Sequence, residues 1–464
     1  MTIWQPDLEN KVGPKYKRIA EAIGEGIENG SLTEQDRLPP QRDLADQLGV
    51  SLNTVSRAYA EAIKMGFLSG EVGRGTYVRI GGPLPAGVSR ARMSRPVDGP
   101  IDFSLNLPAA GEGAAALAQT LNTIRVSNCL SDYLDYQTAE DIRRHRDAAS
   151  NWISQVGFDA PSDNIVLTNG AQHGLMVALL ASMQPGDVLL TQALTYAPVK
   201  AIAQHLGLKL FPVDMDSGGL CPESLEAACR TTAARVLYCL PTLHTPTTLT
   251  MCVDQRREIA RIASKHNLLI IEDDVFGFLP PERPPPLASF APQHTLYITS
   301  VSKSLAPGLR VGYVCAPDRL CRSISAAVNL SCWMPPPLMS EIASLWIEDG
   351  TAIRLNEFQR AEAHTRQELA RTYLEKHETL SHPYGFHLWL SLPPHWRADA
   401  FRVAAERQGV KVLTAEPFTV TQADTPHAIR LCLSHELTRE RVSQGLKIVS
   451  ELLDETSDPG VLVV

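Results

Sequence analysis

Seven short β-rich runs limit what most of this chain can fold into. "NIVLT", "DVLLT", "KLFPV", "RVLYCL", "LLIIEDD", "TLYITS" and "VGYVCA" follow one another between residues 164 and 316, with helical patterns alternating among them. Strands that alternate with helices imply an α/β layer on a mostly parallel sheet, because parallel neighbours are joined by crossovers that usually carry a helix. Beyond Ser331 the pattern changes to a long amphipathic helix, expected from Met339 to Tyr373, and then to "GFHLWLSL", a helix near Arg402, "VKVLT" and "IRLCLS". That order predicts a small α+β subdomain at the C-terminal end.

The first eighty residues obey a different pattern. Ile19, Ala20, Ile23 and Ile27 recur at helical spacing, and Gly30 closes that helix. Residues 41–48, stopped by Gly49, and a segment from Leu52 to about Lys64, capped by Ser51, predict two further helices joined by a short turn. Two extended runs within residues 67–78, joined around "EVGRG", predict a hairpin or wing. Residues 81–100 are rich in Pro, Gly and Arg without apolar periodicity and read as a linker. The expected domains are 12–80, a winged helix-turn-helix; 81–100, the linker; 101–330, the large α/β domain; and 331–464, the long helix with the small subdomain.

Charge does not announce a nucleic-acid partner. The net charge is −8, and residues 1–80 hold ten Lys plus Arg against eleven Asp plus Glu, so DNA binding has to rest on the motif and on local placement of charge. Nine cysteines without a CxxC pair argue against a disulfide framework and against zinc, and no metal site is expected. The start, "MTIWQPDLENK", lacks the features of a signal peptide, and polar residues interrupt every apolar stretch before bilayer length. A cytoplasmic protein without membrane contact is the expectation.

One constellation carries chemistry. In "TSVSKSLAPGLRVGYV" a lysine, Lys303, lies close to Ser300, Ser302 and Arg310; taken alone, such a lysine is more often a solvated charge. Other segments change that balance. "TNGAQHGL" follows a strand and opens a helix, so the N–H groups of Gly170, Ala171 and Gln172 can meet an anion. "LTYAP" supplies Tyr196 as a ring-stacking aromatic, and "IIEDDVFG" ends a buried strand in acids. A pyridoxal phosphate site needs these parts: an amine, anion donors, a carboxylate for the pyridinium nitrogen and a flat side chain over the ring.

Both halves resemble known families. "DRLPPQRDLADQLGVSLNTVSRAYAEAIKMGFLSGEVGRGTYV" resembles the winged helix-turn-helix of the GntR superfamily, which implies contacts to double-stranded DNA from Arg42, Ser51, Asn53, Thr54, Arg57 and Arg74. Relatives often carry arginine where this chain has Leu52, which leaves readout to Asn53 and Arg57, with Leu52 available to a thymine methyl. From about Ile101 to Ser434 the order of motifs resembles fold-type I, class I/II aminotransferases, and the two together resemble MocR-type transcriptional regulators. The resemblance implies pyridoxal 5'-phosphate as cofactor, Lys303 as its Schiff-base lysine and Asp273 as the pyridinium partner. It also implies Ser300 and Arg310 as phosphate ligands, and Arg430, in "AIRLCLS", as the fork for an effector carboxylate. Tyr136, in "DYQTAED", is implied to cross to a partner's phosphate in a homodimer with swapped heads.

Departures from the family pattern fall on one cofactor atom. The family's asparagine in "PTLxNPT" is Thr245, and the tyrosine three residues after the pyridinium aspartate is Phe276; both normally donate to O3'. His244 is either a substitute neighbour for O3' or a histidine satisfied by backbone, and Asp141 stands where relatives often have glycine. Loss of the tuning donors favours a regulator that senses the cofactor or an amino-acid, amine or vitamer effector, rather than an efficient enzyme. The alternatives are a working aminotransferase with a DNA-binding head, and a regulator without cofactor.

Overall fold

The computed structural model describes residues 4, 13–28, 31–33, 36–64, 67–71, 75–78, 99–127, 130–421 and 425–455. It divides into two compact units, Met1–Arg92 and Met93–Val464. The linker expected at 81–100, apart from Gly99 and Pro100, lies outside the described residues, as does Arg74.

The head consists of helices Lys15–Glu28, Gln41–Leu48 and Leu52–Lys64, followed by antiparallel strands Leu68–Glu71 and Gly75–Val78. Its core gathers Ile19, Ile23, Leu44, Val55, Tyr59 and Ala62, all at most 1% exposed, so the helical spacing in the sequence is the spacing of the buried stripe. Gly49 takes the left-handed conformation, φ 60°, that ends the second helix. The Ser51 hydroxyl accepts from the Thr54 amide at 3.2 Å and caps the third.

In the body, seven strands form one sheet in the order Ile165–Thr168, Gly312–Cys315, Thr295–Ser300, Leu269–Asp273, Val236–Cys239, Val188–Gln192 and Lys209–Val213. Gly312–Cys315 runs antiparallel to both its neighbours; the remaining pairs are parallel. Alternate residues enter cores on opposite faces: Ile165, Leu167 and Tyr297 on one, Val166, Leu296 and Ile298 on the other. A sheet covered on both sides needs strands apolar throughout, and that is why the runs stood out as continuous.

Two expectations are corrected. The helix expected from Met339 to Tyr373 is two, Pro337–Glu348 and Thr351–Tyr373, separated by Asp349 and by Gly350 at φ +81°. A left-handed residue cannot continue a right-handed helix, and the Asp349 carboxylate accepts from the Thr351 amide at 2.8 Å to start the next one. The packing also departs from a boundary at 330: Ile342, Trp346 and Leu355 join the core that contains Leu167 and Tyr297. Conversely, Ile101–Asp102 pairs in parallel with Val410–Lys411, and Ile101 and Phe103 are buried with Leu388, Phe401, Ile429 and Leu446. The chain therefore enters the body as part of the C-terminal subdomain.

Asp141 is the third residue of helix Ala139–Ser154 and closes a capping box with Thr138. The reciprocal bonds satisfy two orphan donors at the helix start. Thr138→Ala should lower the stability of the body by about 1 kcal/mol in urea unfolding.

Candidate functional site

A cavity of about 680 Å³ opens at the carboxyl edge of the sheet, where ligands bind in open α/β folds. It brings together Ala171, Gln172, Tyr196, Thr245, Asp273, Phe276, Ser300, Ser302, Lys303, Arg310 and Arg430, eleven of the fifteen body residues singled out in the sequence. The topology explains the convergence. Five of the segments follow strand ends, and Arg310 reaches the same edge because its strand runs backwards, with Gly312 opposite both Ser300 and Thr168.

The anion end is built on close backbone approach. Gly170 caps the helix Ala171–Ser182 at φ +79° without a side-chain cap, leaving first-turn N–H groups open to an anion. A Cβ on Gly170 would lie 2.6 Å from Arg310 Nη2, and one on Gly312 would lie 2.5 Å from the Gly170 carbonyl carbon. Gly170 thus borders the cavity through Arg310, whose guanidinium donates to the Asn169 carbonyl at 3.0 Å. The Ser302 hydroxyl is buried without a hydrogen-bond partner.

Three successive acids diverge. Glu272 turns away from the cavity to accept from the Leu287 and Ala288 amides, each at 2.9 Å, near Arg256. Asp274 accepts from Arg283 at 2.6 Å and from the Tyr297 hydroxyl at 2.7 Å. Asp273 alone lines the cavity: Oδ2 accepts from the Tyr238 hydroxyl at 2.8 Å, while Oδ1 is buried with no partner. Burial pushes its carboxyl up to about 6. A buried carboxylate oxygen without a partner is costly, and a ring N–H would satisfy it.

Lys303 donates to the backbone carbonyl of Asn106, and its ammonium lies 5.5 Å from the centre of the Phe276 ring. Burial lowers its pKa to about 8. Phe276 is 3% exposed and brings no hydroxyl to the cavity. The Arg430 guanidinium donates to the Ser104 carbonyl at 2.6 Å and stacks 4.9 Å from the Phe418 ring, with Nε unpartnered. Tyr196 starts the helix Ala197–His205, and burial pushes its hydroxyl up to about 12.

Other sequence candidates lie elsewhere. Tyr136 is 73% exposed and packs against Trp333, ring centres 5.7 Å apart, outside the cavity. His244 is buried, contacts the Thr247 hydroxyl at 2.8 Å and the Leu194 carbonyl at 3.0 Å, and is pushed down to about 3 by burial, which is the backbone-satisfied alternative. In the head, Arg42, Ser51 and Asn53 are exposed, and Thr54 is half-buried beside Ser51. The Arg57 guanidinium rests 4.4 Å from the Tyr16 ring centre. Sequence reasoning missed Ser104, Asn106, Tyr238 and His387, which carry no motif.

The comparisons agree with this architecture. Residues 101–449 match the family model "Aminotransferase class I and II", and residues 15–78 match "Bacterial regulatory proteins, gntR family". The structure of kynurenine aminotransferase from Pyrococcus horikoshii aligns with a TM-score of 0.70 at 21% identity, covering 77% of this chain and 91% of that one. The body is thus a fold-type I aminotransferase-like domain. The HTH-type transcriptional regulator YdeF of Bacillus subtilis is 33% identical over 97% of both chains. The vitamin B6 salvage pathway transcriptional repressor PtsJ of Salmonella typhimurium is 27% identical over 91% of this chain and 95% of its own. The chain belongs to the aminotransferase class I and II family with a gntR-family head, the MocR type of regulator.

Proposed function

We propose that this protein is a DNA-binding transcriptional regulator whose body holds pyridoxal 5'-phosphate on Lys303 and responds to an amino compound or vitamer. The observation that carries the reading is the partnerless Oδ1 of Asp273, buried in the same cavity as a lysine, a helix N-terminus and Arg310. These groups fit the cofactor at three points: Asp273 at the ring nitrogen, Lys303 at the aldehyde, and Arg310, Ser300, Ser302 and the amides of Gly170, Ala171 and Gln172 at the phosphate. When bound, the cofactor supplies an electrophilic carbon for amines and an electron sink. Tyr196 would cover a ring face, and Arg430, whose Nε has no partner, would orient a carboxylate.

Sensing is favoured over turnover. Phe276 cannot donate to O3', and Thr245 is the remaining residue at the family's two donor positions. A hydrogen bond to a charged oxygen contributes about 1.5 to 3 kcal/mol, so its loss weakens the electronic tuning that fast transamination requires. A functional aminotransferase remains the second reading, supported by a Lys303 amine that can carry a proton near neutral pH. The reading includes a cytoplasmic homodimer in which Tyr136 reaches the partner's phosphate; its support is that the Tyr136 and Trp333 rings pack together while both are exposed. Arg42, Ser51, Asn53, Thr54, Arg57 and Arg74 are assigned to operator DNA.

A visible absorbance spectrum tests the proposal. Mixing the protein with pyridoxal phosphate should produce a new band, and amino acids should shift it without turnover. The neutral amine is the nucleophile, so the rate of attachment should rise with pH and level off above about 8, where Lys303 has lost its proton. No band at any pH would sink both the regulator and the enzyme readings as cofactor proteins.

A further inference from the structure

Asn106 belongs to no motif of the sequence. It lines the cavity, its backbone carbonyl receives the Lys303 ammonium, and its carboxamide nitrogen lies 3.2 Å from His387 Nδ1. His387 is fully buried, and burial drives its pKa well below the usual range, so the ring is neutral and carries one proton. Its Nε2 lies 3.3 Å from the His244 carbonyl, a group that can only accept, so the proton sits on Nε2. Nδ1 is then a bare acceptor. The group of Asn106 that faces it must be the NH₂, and the orientation of the carboxamide follows without further choice.

The consequence concerns the other end of that side chain. Asn106 Oδ1 is buried and has no hydrogen-bond partner, and Arg430 Nε, held through Ser104 two residues before Asn106, has none either. A carboxylate satisfies the arginine. An acceptor with no donor repels a second carboxylate and is satisfied by an O–H or N–H group. We infer that Asn106 determines effector specificity: its Oδ1 accepts from a donor that the effector carries besides the carboxylate held by Arg430 and the amine that meets the cofactor. The inference rests on the cofactor reading above and names the chemistry of its effector, a hydroxylated or diamino carboxylate.

The test is a spectral titration of the full cofactor-loaded chain with matched probes: L-alanine against L-serine, L-2-aminobutyrate against L-2,4-diaminobutyrate, and L-aspartate. In the wild type the donor-bearing member of at least one pair should half-saturate at about ten-fold lower concentration, and L-aspartate should show no such gain. Asn106→Ala should bring that ratio close to one. Ratios within one protein are unaffected by changes in cofactor occupancy. Should Asn106→Ala lose the band, Asn106→Asp carries the test, because an anionic acceptor should raise the preference for the diamino acid over L-serine. Equal members in both wild-type pairs, a band that no probe shifts, or ratios unchanged by the substitutions would overturn the assignment and leave cofactor binding intact. Absence of any band in the wild type would instead overturn the parent reading and this one with it.

Discussion

Lys303→Ala should abolish the cofactor band and every spectral response to amino compounds, while binding of operator DNA by the head persists. On the proposed reading the Lys303 amine would join the cofactor covalently, and the substitution removes it while leaving Asp273, Arg310 and the helix N-terminus in place. Non-covalent retention through those groups would be visible as binding without the band. The head keeps its own core, gathered from Ile19, Leu44, Val55 and Tyr59, so its fold does not depend on the lysine. Spectra and DNA mobility shifts on the same preparation separate the two effects. A variant that still responds to amino compounds would end the covalent account.

The second large effect comes from the neighbouring acid that never touches the cavity. Asp274→Ala should destabilise the body by about 3 to 5 kcal/mol in urea unfolding, because Arg283, with 5% of its side chain exposed, and the Tyr297 hydroxyl both lose the carboxylate they bind. The double variant Asp274→Ala/Arg283→Met should recover part of the loss, since no guanidinium then remains buried without its anion. Asp273→Asn should do the opposite. A carboxyl raised from 3.8 to about 6 favours the folded state while protonated, and that stabilisation is lost as pH rises through 6. Relief at neutral pH is on the order of 3 kcal/mol for the cofactor-free protein. If both substitutions shift the midpoint in the same direction, the division of labour between the two acids is wrong.

That division also marks what the sequence could tell. "IIEDDVFG" shows three acids at a strand end, and period-two alternation places Asp273 opposite Glu272 and Asp274, but only the fold decides which face meets the cavity. Lys303, Arg310 and Gly170 were legible because each lies beside a strand whose end is itself readable. Asn106 and His387 were not, since their contact spans 281 positions and the pattern of "GFHLWLSL", which holds His387, does not say what that strand meets. The break at Gly350 escaped for a different reason. A glycine inside a helical pattern costs only about 1 kcal/mol and is often tolerated, so periodicity on both sides runs through it unchanged. In the head almost every element was legible, because caps and buried stripe agree with one another there.

The strand Ile101–Asp102 bears on how the molecule can be divided. Ile101 and Phe103 are 4% and 0% exposed in the C-terminal core, Ser104 holds Arg430, and Asn106 holds Lys303. Residues 101–106 are thus a seam stitched into both the C-terminal core and the cavity. A chain cut just before Ile101 would keep the body's core intact, whereas one cut six residues further would lose a strand together with the two carbonyls that receive Arg430 and Lys303.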